Sequence, residues 1–243
     1  MRAILPVLAA VVLAAPAAAA DPPGRLEGTW RLSIGGLTAA EAVVEGAAEG
    51  DGYAMRVTAG TEGFVARLFE AGIDARVEGA VEGGRLAPRR FRSRYHDSEK
   101  TRRVAMDYDA DGAPAVAAEP AYDPKPWQLD PAAQAGLVDP LTALFAAFAP
   151  RPRGALCDAT YRGFDARRAY AIVLGEPSGP SDSGTITCEA EYRRLAGFKD
   201  KDLAKPPFPF RVEFVADEGG FWRLDRALAA SPVGTAVLAR VGG

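Results

Sequence analysis

Apolar and polar residues alternate along most of the chain beyond residue 25, which is the pattern of β-strands with one buried face. In the first such run Leu26, Trp30 and Leu32 share a face, and Gly35-Gly36 ends the run. Turn signals recur roughly every 8–12 residues, a spacing typical of sandwiches, barrels and curled sheets. The pattern predicts a mostly β chain, either a curled antiparallel sheet or an open or closed β-barrel-like meander. The apolar run 64–69 is interpreted as one of its strands.

The segment around residue 97 is the clearest predicted hairpin. One face of its first strand carries Phe91, Ser93 and Tyr95, and the other carries Arg90, Arg92 and Arg94. A basic strand face could meet phosphate groups, since guanidinium forks suit phosphate oxygens. Acidic residues close by in the sequence favour an ordinary solvated face instead, and that is the interpretation we adopt.

Strand periodicity stops between residues 113 and 149. Five prolines in 113–136 predict an extended loop, whose apolar residues suggest that it packs across the body of the fold. A helix is predicted over 139–149, with Asp139 as N-cap, Pro140 in the first turn, and Phe145 and Phe148 on its apolar face. An amphipathic helix between strands is expected to pack on the sheet.

The first 20 residues have the arrangement of a secretory signal peptide. Arg2 is followed by an apolar stretch and then by the small residues 17–20, and the stretch is short for a membrane span. We therefore expect a secreted bacterial protein of the periplasm. Since no cysteine lies near the cleavage point, a lipoprotein anchor is not expected. Residues 21–243 are interpreted as a single β-rich domain that does not span the membrane.

The net charge and the cysteine content limit the kinds of partner and the cellular compartment that we expect. A formal net charge of −3 argues against nucleic acid as the main partner. Cys157 and Cys188 are the only cysteines, and two thiols in an exported chain are expected to form a disulfide.

Motifs that would support catalysis or metal binding are incomplete. The run 107–112 opens like a calcium loop but has Ala118 where the bidentate glutamate belongs, so an Asp-Gly hairpin turn is expected instead. His96 is the single histidine, and no Gly-x-Ser-x-Gly elbow accompanies it. We expect no metal, no cofactor and no enzymatic activity, although acid–base chemistry by carboxylates alone stays formally open.

Several turn and cap signatures occur in an order that resembles the domain-of-unknown-function 3108 family. They are DPLTALF at 139–145, FDARRAY at 164–170 after Cys157, AGF at 196–198 after Cys188, and SPVGTA at 231–236. The resemblance extends over about residues 25–241 and implies an exported, curled antiparallel sheet of a cell-envelope protein. It implies no activity and no functional residues. The architecture is similar to the half-open β folds of periplasmic lipoprotein carriers, an analogy that concerns fold and not function.

Two functions follow as hypotheses. The first is a non-enzymatic periplasmic protein that binds a lipid or other apolar ligand in envelope maintenance. The alternative is a structural or interaction module of the envelope without a small-molecule ligand. Candidate ligand-binding residues are the aromatic side chains Trp30, Phe91, Tyr95, Phe145 and Phe148, for which core packing is an equally good explanation.

Overall fold

The computed structural model describes residues 24–181 and 184–242, so the predicted signal peptide lies outside the described residues. The first seven strands are β1 (Leu26–Ile34), β2 (Leu37–Glu49), β3 (Gly52–Thr61), β4 (Ala71–Glu82), β5 (Arg85–Asp97), β6 (Thr101–Tyr108) and β7 (Pro114–Glu119). The other six are β8 (Ala159–Phe164), β9 (Ala169–Ser178), β10 (Thr185–Ala196), β11 (Phe208–Ala216), β12 (Trp222–Ser231) and β13 (Gly234–Val241). The helices are α1 (Gly63–Leu68), α2 (Pro140–Phe148) and α3 (Asp200–Leu203), with 3-10 turns at Pro131–Ala133 and Arg153–Ala155.

All these strands form one antiparallel sheet in the order β7-β6-β5-β4-β3-β2-β1-β13-β12-β11-β10-β9-β8. Each half is a plain meander, and the halves join where β1 pairs with β13, for example Trp30 opposite Arg240. Successive connections therefore alternate between two ends of the sheet. We call the end with the β1–β2, β3–β4, β5–β6, β8–β9, β10–β11 and β12–β13 connections the upper end, and the opposite one the lower end. The predicted fold class is confirmed.

Contacts of α2 show that the sheet curls. The helix has nine residues and is therefore about 14 Å long. It contacts β8 at one edge of the sheet and also β3, β4 and β5. In a flat sheet β5 and β8 would lie roughly 48 Å apart, because neighbouring strands are spaced by about 4.8 Å. The sheet must therefore bend around α2, which lies in the core.

The sheet does not close, and the proline-rich segment lies between its edges. Within the part of the chain that the structure describes, strands β7 and β8 have no strand neighbour on their outer sides. The Leu129 N–H donates to the Arg167 carbonyl at 3.0 Å, and the Phe164 N–H donates to the Val138 carbonyl at 2.8 Å. The segment thereby satisfies backbone groups near the open edge and limits strand addition there.

Two local predictions need correction. The run 64–69 is not a strand: it forms α1, because an apolar run this short is compatible with either element. The predicted loop 113–136 begins with strand β7, which pairs with β6. Proline is compatible with β7 because Pro114 is its first residue and β7 is an edge strand.

The predicted disulfide is confirmed. Cys157 precedes β8 and is bonded to Cys188 on β10, with a Cα–Cα distance of 5.9 Å. Strand β9 lies between β8 and β10, so the bond ties the chain entering the edge strand to the second strand inward. Both cysteines are buried in the core.

Candidate functional site

A cavity remains between the sheet and the beginning of α2. Three rows of paired residues cross β4, β5 and β6 on the concave face: Val77, Phe91 and Met106, then Ala75, Ser93 and Val104, then Ile73, Tyr95 and Arg102. The first row is buried, and the third lies nearest the upper end. A cavity of about 300 Å³ is lined by the second and third rows. Phe91 and Met106 of the first row and Leu141 of α2 also line it. Its walls are mainly apolar, and its charged residues lie near the upper end.

Two arginines flank one tyrosine ring beside this cavity. The Arg102 guanidinium carbon lies 4.6 Å from the centroid of the Tyr122 ring, and that of Arg167 lies 4.3 Å from it. The two cations are therefore no more than about 9 Å apart, which is the sum of these distances. Both interactions have the geometry of cation–π contacts. The proline-rich segment supplies Tyr122, while Arg102 is the second residue of β6 and Arg167 lies in the β8–β9 turn.

The positive charge of these two arginines is not neutralised within the described chain. Arg168 forms an ion pair with Asp165 at 2.9 Å, but neither Arg102 nor Arg167 pairs with a carboxylate of residues 24–181 or 184–242. Arg102 donates to the Pro120 carbonyl at 2.9 Å. The Arg167 Nε is buried and has no hydrogen-bond partner among the described residues. A buried donor without a partner is unfavourable, so this corner of the cavity suits an added acceptor.

The tyrosines that line the cavity remain neutral near pH 7. Burial raises the pKa of Tyr122, and the neighbouring Arg167 and Arg102 oppose that rise without reversing it. The pKa of Tyr95 is also raised, chiefly because its hydroxyl donates to the Asp97 carboxylate. Neither phenol therefore cancels the charge of the arginines.

The structure separates the five predicted ligand-binding aromatics. Phe91 and Tyr95 line the cavity. Trp30 and Phe145 are buried in the core, and the partly buried Phe148 packs against that core. Phe145 is fully buried and stacks on Tyr53 with ring centroids 6.1 Å apart. These three side chains do not line the cavity.

Sequence reasoning missed the role of Arg102 and Arg167 at the cavity. A signal for Arg102 was present, because it lies in phase with Val104 and Met106 on the apolar face of its strand. A charged residue on that face is an exception that deserves an explanation. Arg167 offered no comparable signal, since it lies in a turn.

Three other arginines on β5 and β6 face outward and are paired. Arg92 contacts Asp107 at 2.8 Å, Arg90 contacts Glu78 at 2.9 Å, and Arg103 contacts Glu119 at 3.2 Å. These cross-strand pairs are exposed, as expected for a solvated face. They distinguish Arg103 from its neighbour Arg102, which faces the cavity.

A buried polar cluster fixes α2 against β3. Asp139 caps the helix by accepting from the Leu141 and Thr142 N–H groups at 3.0 and 3.1 Å. The Thr142 hydroxyl donates to Asp139 Oδ2 at 2.5 Å and lies 2.6 Å from the Tyr53 hydroxyl. Burial raises the pKa of Asp139 to about 6, even though these hydrogen bonds favour the carboxylate. Because Asp139 and Thr142 are fully buried, the cluster positions the helix rather than meeting a substrate.

The run 107–112 ends in the predicted turn between β6 and β7, and its first two residues are the end of β6. The Asp109 carboxylate accepts from the Asp111 and Ala113 N–H groups at 3.0 and 2.8 Å. These are the hydrogen bonds of an Asx-type turn. In the part of the chain that the structure describes, no group of three or more His, Cys, Asp or Glu residues is arranged to hold a metal ion.

Comparison with known families shows the family to which the chain belongs. The family described as "Protein of unknown function (DUF3108)" matches residues 29–182, which is more than half of the sequence. The chain belongs to the DUF3108 family. No curated protein matches it. A β-barrel-like protein of the DUF1849 domain of unknown function from Brucella abortus is similar in structure, with 15% sequence identity and a TM-score of 0.47, over 90% of this chain and 97% of that one.

Membership in DUF3108 agrees with the resemblance seen in the sequence and brings no activity with it. None of the helices in residues 24–181 and 184–242 has the length and apolarity needed to cross a membrane. The disulfide of this DUF3108 protein is typical of an oxidising compartment.

Proposed function

We propose that this DUF3108 protein is a non-enzymatic binding protein of the periplasm that holds an anionic amphiphile with a single acyl chain. The observation that carries the proposal is the pair of unneutralised arginines, Arg102 and Arg167, beside a cavity with apolar walls. Apolar walls with a few convergent polar groups are typical of small-molecule sites.

The volume of the cavity limits the ligand. At about 300 Å³ it lies at the lower end of ligand pockets, which span roughly 300–1,000 Å³. This size suits one acyl chain better than the two chains of a phospholipid. The buried row of Val77, Phe91 and Met106 would lie beneath the inner end of the chain.

The arginines determine the head group. Two cations within about 9 Å repel one another, and an anion that contacts both of them relieves that repulsion. Guanidinium groups bind carboxylate or phosphate oxygens through charge-assisted hydrogen bonds. The Arg167 Nε, which has no partner in the described chain, would donate to such an oxygen.

A titration of the protein with dodecanoate, below the concentration at which it forms micelles, tests the proposal by calorimetry. We expect saturable binding, and much weaker binding of dodecanol, which lacks the charge. Arg102→Gln should weaken dodecanoate binding about tenfold or more, because it removes a charge-assisted hydrogen bond. Arg103→Gln is the matched control, since the adjacent Arg103 faces outward and pairs with Glu119.

A second variant tests the cavity without removing charge. Ser93→Phe places a large side chain in the middle row and should abolish dodecanoate binding while the protein stays folded. Equal effects of the Arg102 and Arg103 variants would reveal non-specific charge attraction. An absence of saturable binding to the wild-type protein would refute the proposal.

The second candidate is a structural module of the envelope without a small ligand. Its support is the fully buried Phe145, which shows that α2 fills much of the interior instead of covering an empty concavity. Under this alternative the cavity beside Arg102 is a packing remnant. The dodecanoate titration decides between the two candidates.

A further inference from the structure

Exposed large apolar side chains are concentrated at the upper end of the sheet. Among the described residues this set, which we call the upper rim, comprises Leu37, Phe64, Leu68, Phe69, Ile73, Leu195, Leu203, Phe208 and Val233. Only Val43 and Phe221 among the large exposed apolar residues of the described chain lie elsewhere. Contiguous exposed apolar area of this kind marks an interaction site.

The upper rim follows neighbouring connections rather than scattered ones. It runs from the β3–β4 connection past β1–β2 and β12–β13 to β10–β11, which is their order in the sheet. Hydrogen bonds join these connections: the Glu62 N–H donates to the Ala39 carbonyl at 3.0 Å, and the Gly35 N–H donates to the Thr235 carbonyl at 3.1 Å. The apolar side chains therefore lie along one continuous arc.

The lower end has the opposite character. Four of its turns, Gly50-Asp51, Gly83-Gly84, 109–113 and 217–220, consist mainly of glycine and aspartate, and the β9–β10 connection also lies at this end. Phe221 is the one large exposed apolar residue of the described chain beside them. Connections of the same sheet make up both ends, so exposed apolar residues are not a general property of the loops in this sheet.

Helix α1 is an exposed part of the upper rim. None of its residues is buried, and Phe64 and Leu68 are 59% and 73% exposed. A helix of six residues gains little stability by itself in water. Its apolar side chains would be stabilised by leaving water, so the helix is suited to an apolar environment outside the protein.

The cationic side chains beside the apolar residues of the upper rim favour a lipid surface as the apolar environment. Arg67 is the one charged residue of α1, Lys199 immediately precedes α3 and Lys201 lies within it; none of the three forms an ion pair within the described residues. Long cationic side chains beside apolar ones can extend toward lipid phosphates while the apolar groups insert. The acidic residues Glu62, Glu70 and Asp200 lie close to these cations in the sequence and offset their charge, so apolar insertion dominates.

We propose that the upper rim docks on a lipid bilayer and that Phe64, Leu68 and Phe69 insert at the boundary between head groups and acyl chains. The rim meets the cavity at Ile73, which belongs to both. Docking would thus bring the cavity next to the bilayer. The proposal does not require that the cavity hold a ligand.

Vesicle co-sedimentation with phosphatidylcholine, and with phosphatidylcholine mixed with phosphatidylglycerol, tests the docking. The N-terminus of the protein is defined by intact mass, because residues 1–20 would themselves partition into vesicles if retained. We expect partition into both vesicle types with little dependence on salt, since apolar insertion is not screened. The double variant Phe64→Ser/Leu68→Ser should weaken partition at least about tenfold, and Val43→Ser/Phe221→Ser should not.

A site-specific readout gives the orientation. Tryptophan introduced by Leu68→Trp should be quenched by brominated lipids more strongly than tryptophan introduced by Phe221→Trp at the lower end. Ser93→Phe, which fills the cavity, should leave partition unchanged and so separates docking from ligand binding.

Three results would overturn the proposal. One is a wild-type protein that stays in solution with both vesicle types, and another is equal loss of partition in the two double serine variants. The third is self-association in sedimentation analysis that Phe64→Ser/Leu68→Ser abolishes without any vesicle binding, because the rim would then be an interface between copies of this chain.

Discussion

Replacement of Asp139 by asparagine should remove a specific pH dependence of stability. Asp139 is fully buried, and its pKa is raised from the ordinary 3.8 to about 6 by burial. The folded protein therefore binds the proton more tightly than the unfolded chain. A group of this kind stabilises the fold at pH values below its unfolded pKa, and that contribution is lost as the pH rises through its folded pKa. The free energy of unfolding should thus fall by ~3 kcal/mol between about pH 4 and pH 6 through this residue.

Asparagine preserves the cap while eliminating the charge. Its side-chain oxygen can accept from the Leu141 and Thr142 N–H groups, as the carboxylate does. Its amide would donate to the Thr142 hydroxyl, which can turn to donate to Tyr53, because either hydroxyl of that pair can be the donor. We therefore expect Asp139→Asn to match the wild type near pH 4 and to be more stable above pH 6.

Urea denaturation from pH 4 to pH 7 measures this difference. Carboxyl groups whose pKa is lowered, such as Asp74, Asp97 and Asp202, destabilise the fold only as the pH falls below about 4, so they do not obscure the window. Asp97→Asn is a suitable control and should not flatten the profile between pH 4 and pH 6. A constant difference between the wild type and Asp139→Asn across the range would refute the reasoning.

Two further predictions concern the core and the disulfide. Phe145→Ala should lower the free energy of unfolding by about 3–5 kcal/mol without creating saturable fatty-acid binding, because the ring is fully buried against Tyr53. Phe148 is only half-buried, so Phe148→Ala should lower the free energy of unfolding less. A small loss of stability together with new fatty-acid binding in Phe145→Ala would contradict a core role and indicate that α2 is a lid. Cys157→Ser should destabilise the protein by ~3 kcal/mol relative to the oxidised wild type, because the disulfide closes a loop of about 30 residues. The denatured wild type should show no thiol that can be alkylated. Two reactive thiols would show that the disulfide does not form.

Local sequence patterns were sufficient for most individual elements. Alternation around Phe91 and Tyr95 identified the concave face of β5, because the side-chain period of a strand is two and needs no knowledge of its partners. Asp139 and Pro140 located the start of α2, because capping depends on backbone groups within one helical turn. With only two cysteines in the sequence, one intramolecular pairing was available.

Where periodicity was short, the sequence was ambiguous. The run 64–69 is apolar enough for a strand, yet Gly63 with a φ of +61° turns the chain and α1 follows. Alternation over six residues cannot distinguish a strand from a helical turn. The error concerned the helix whose exposed side chains suggest membrane docking.

Contacts between distant parts of the chain decided how the candidate site is assembled. The pairing of β1 with β13 and the curl of the sheet around α2 depend on contacts between distant parts of the chain, which no local pattern encodes. Arg102, Tyr122 and Arg167 lie on three separate segments and meet only because the proline-rich segment lies between the two open edges of the sheet. The sequence by itself determined most of the segments that become strands and which of their faces are apolar. The tertiary structure alone decided where those faces leave a cavity, because a cavity is the volume that distant side chains fail to fill.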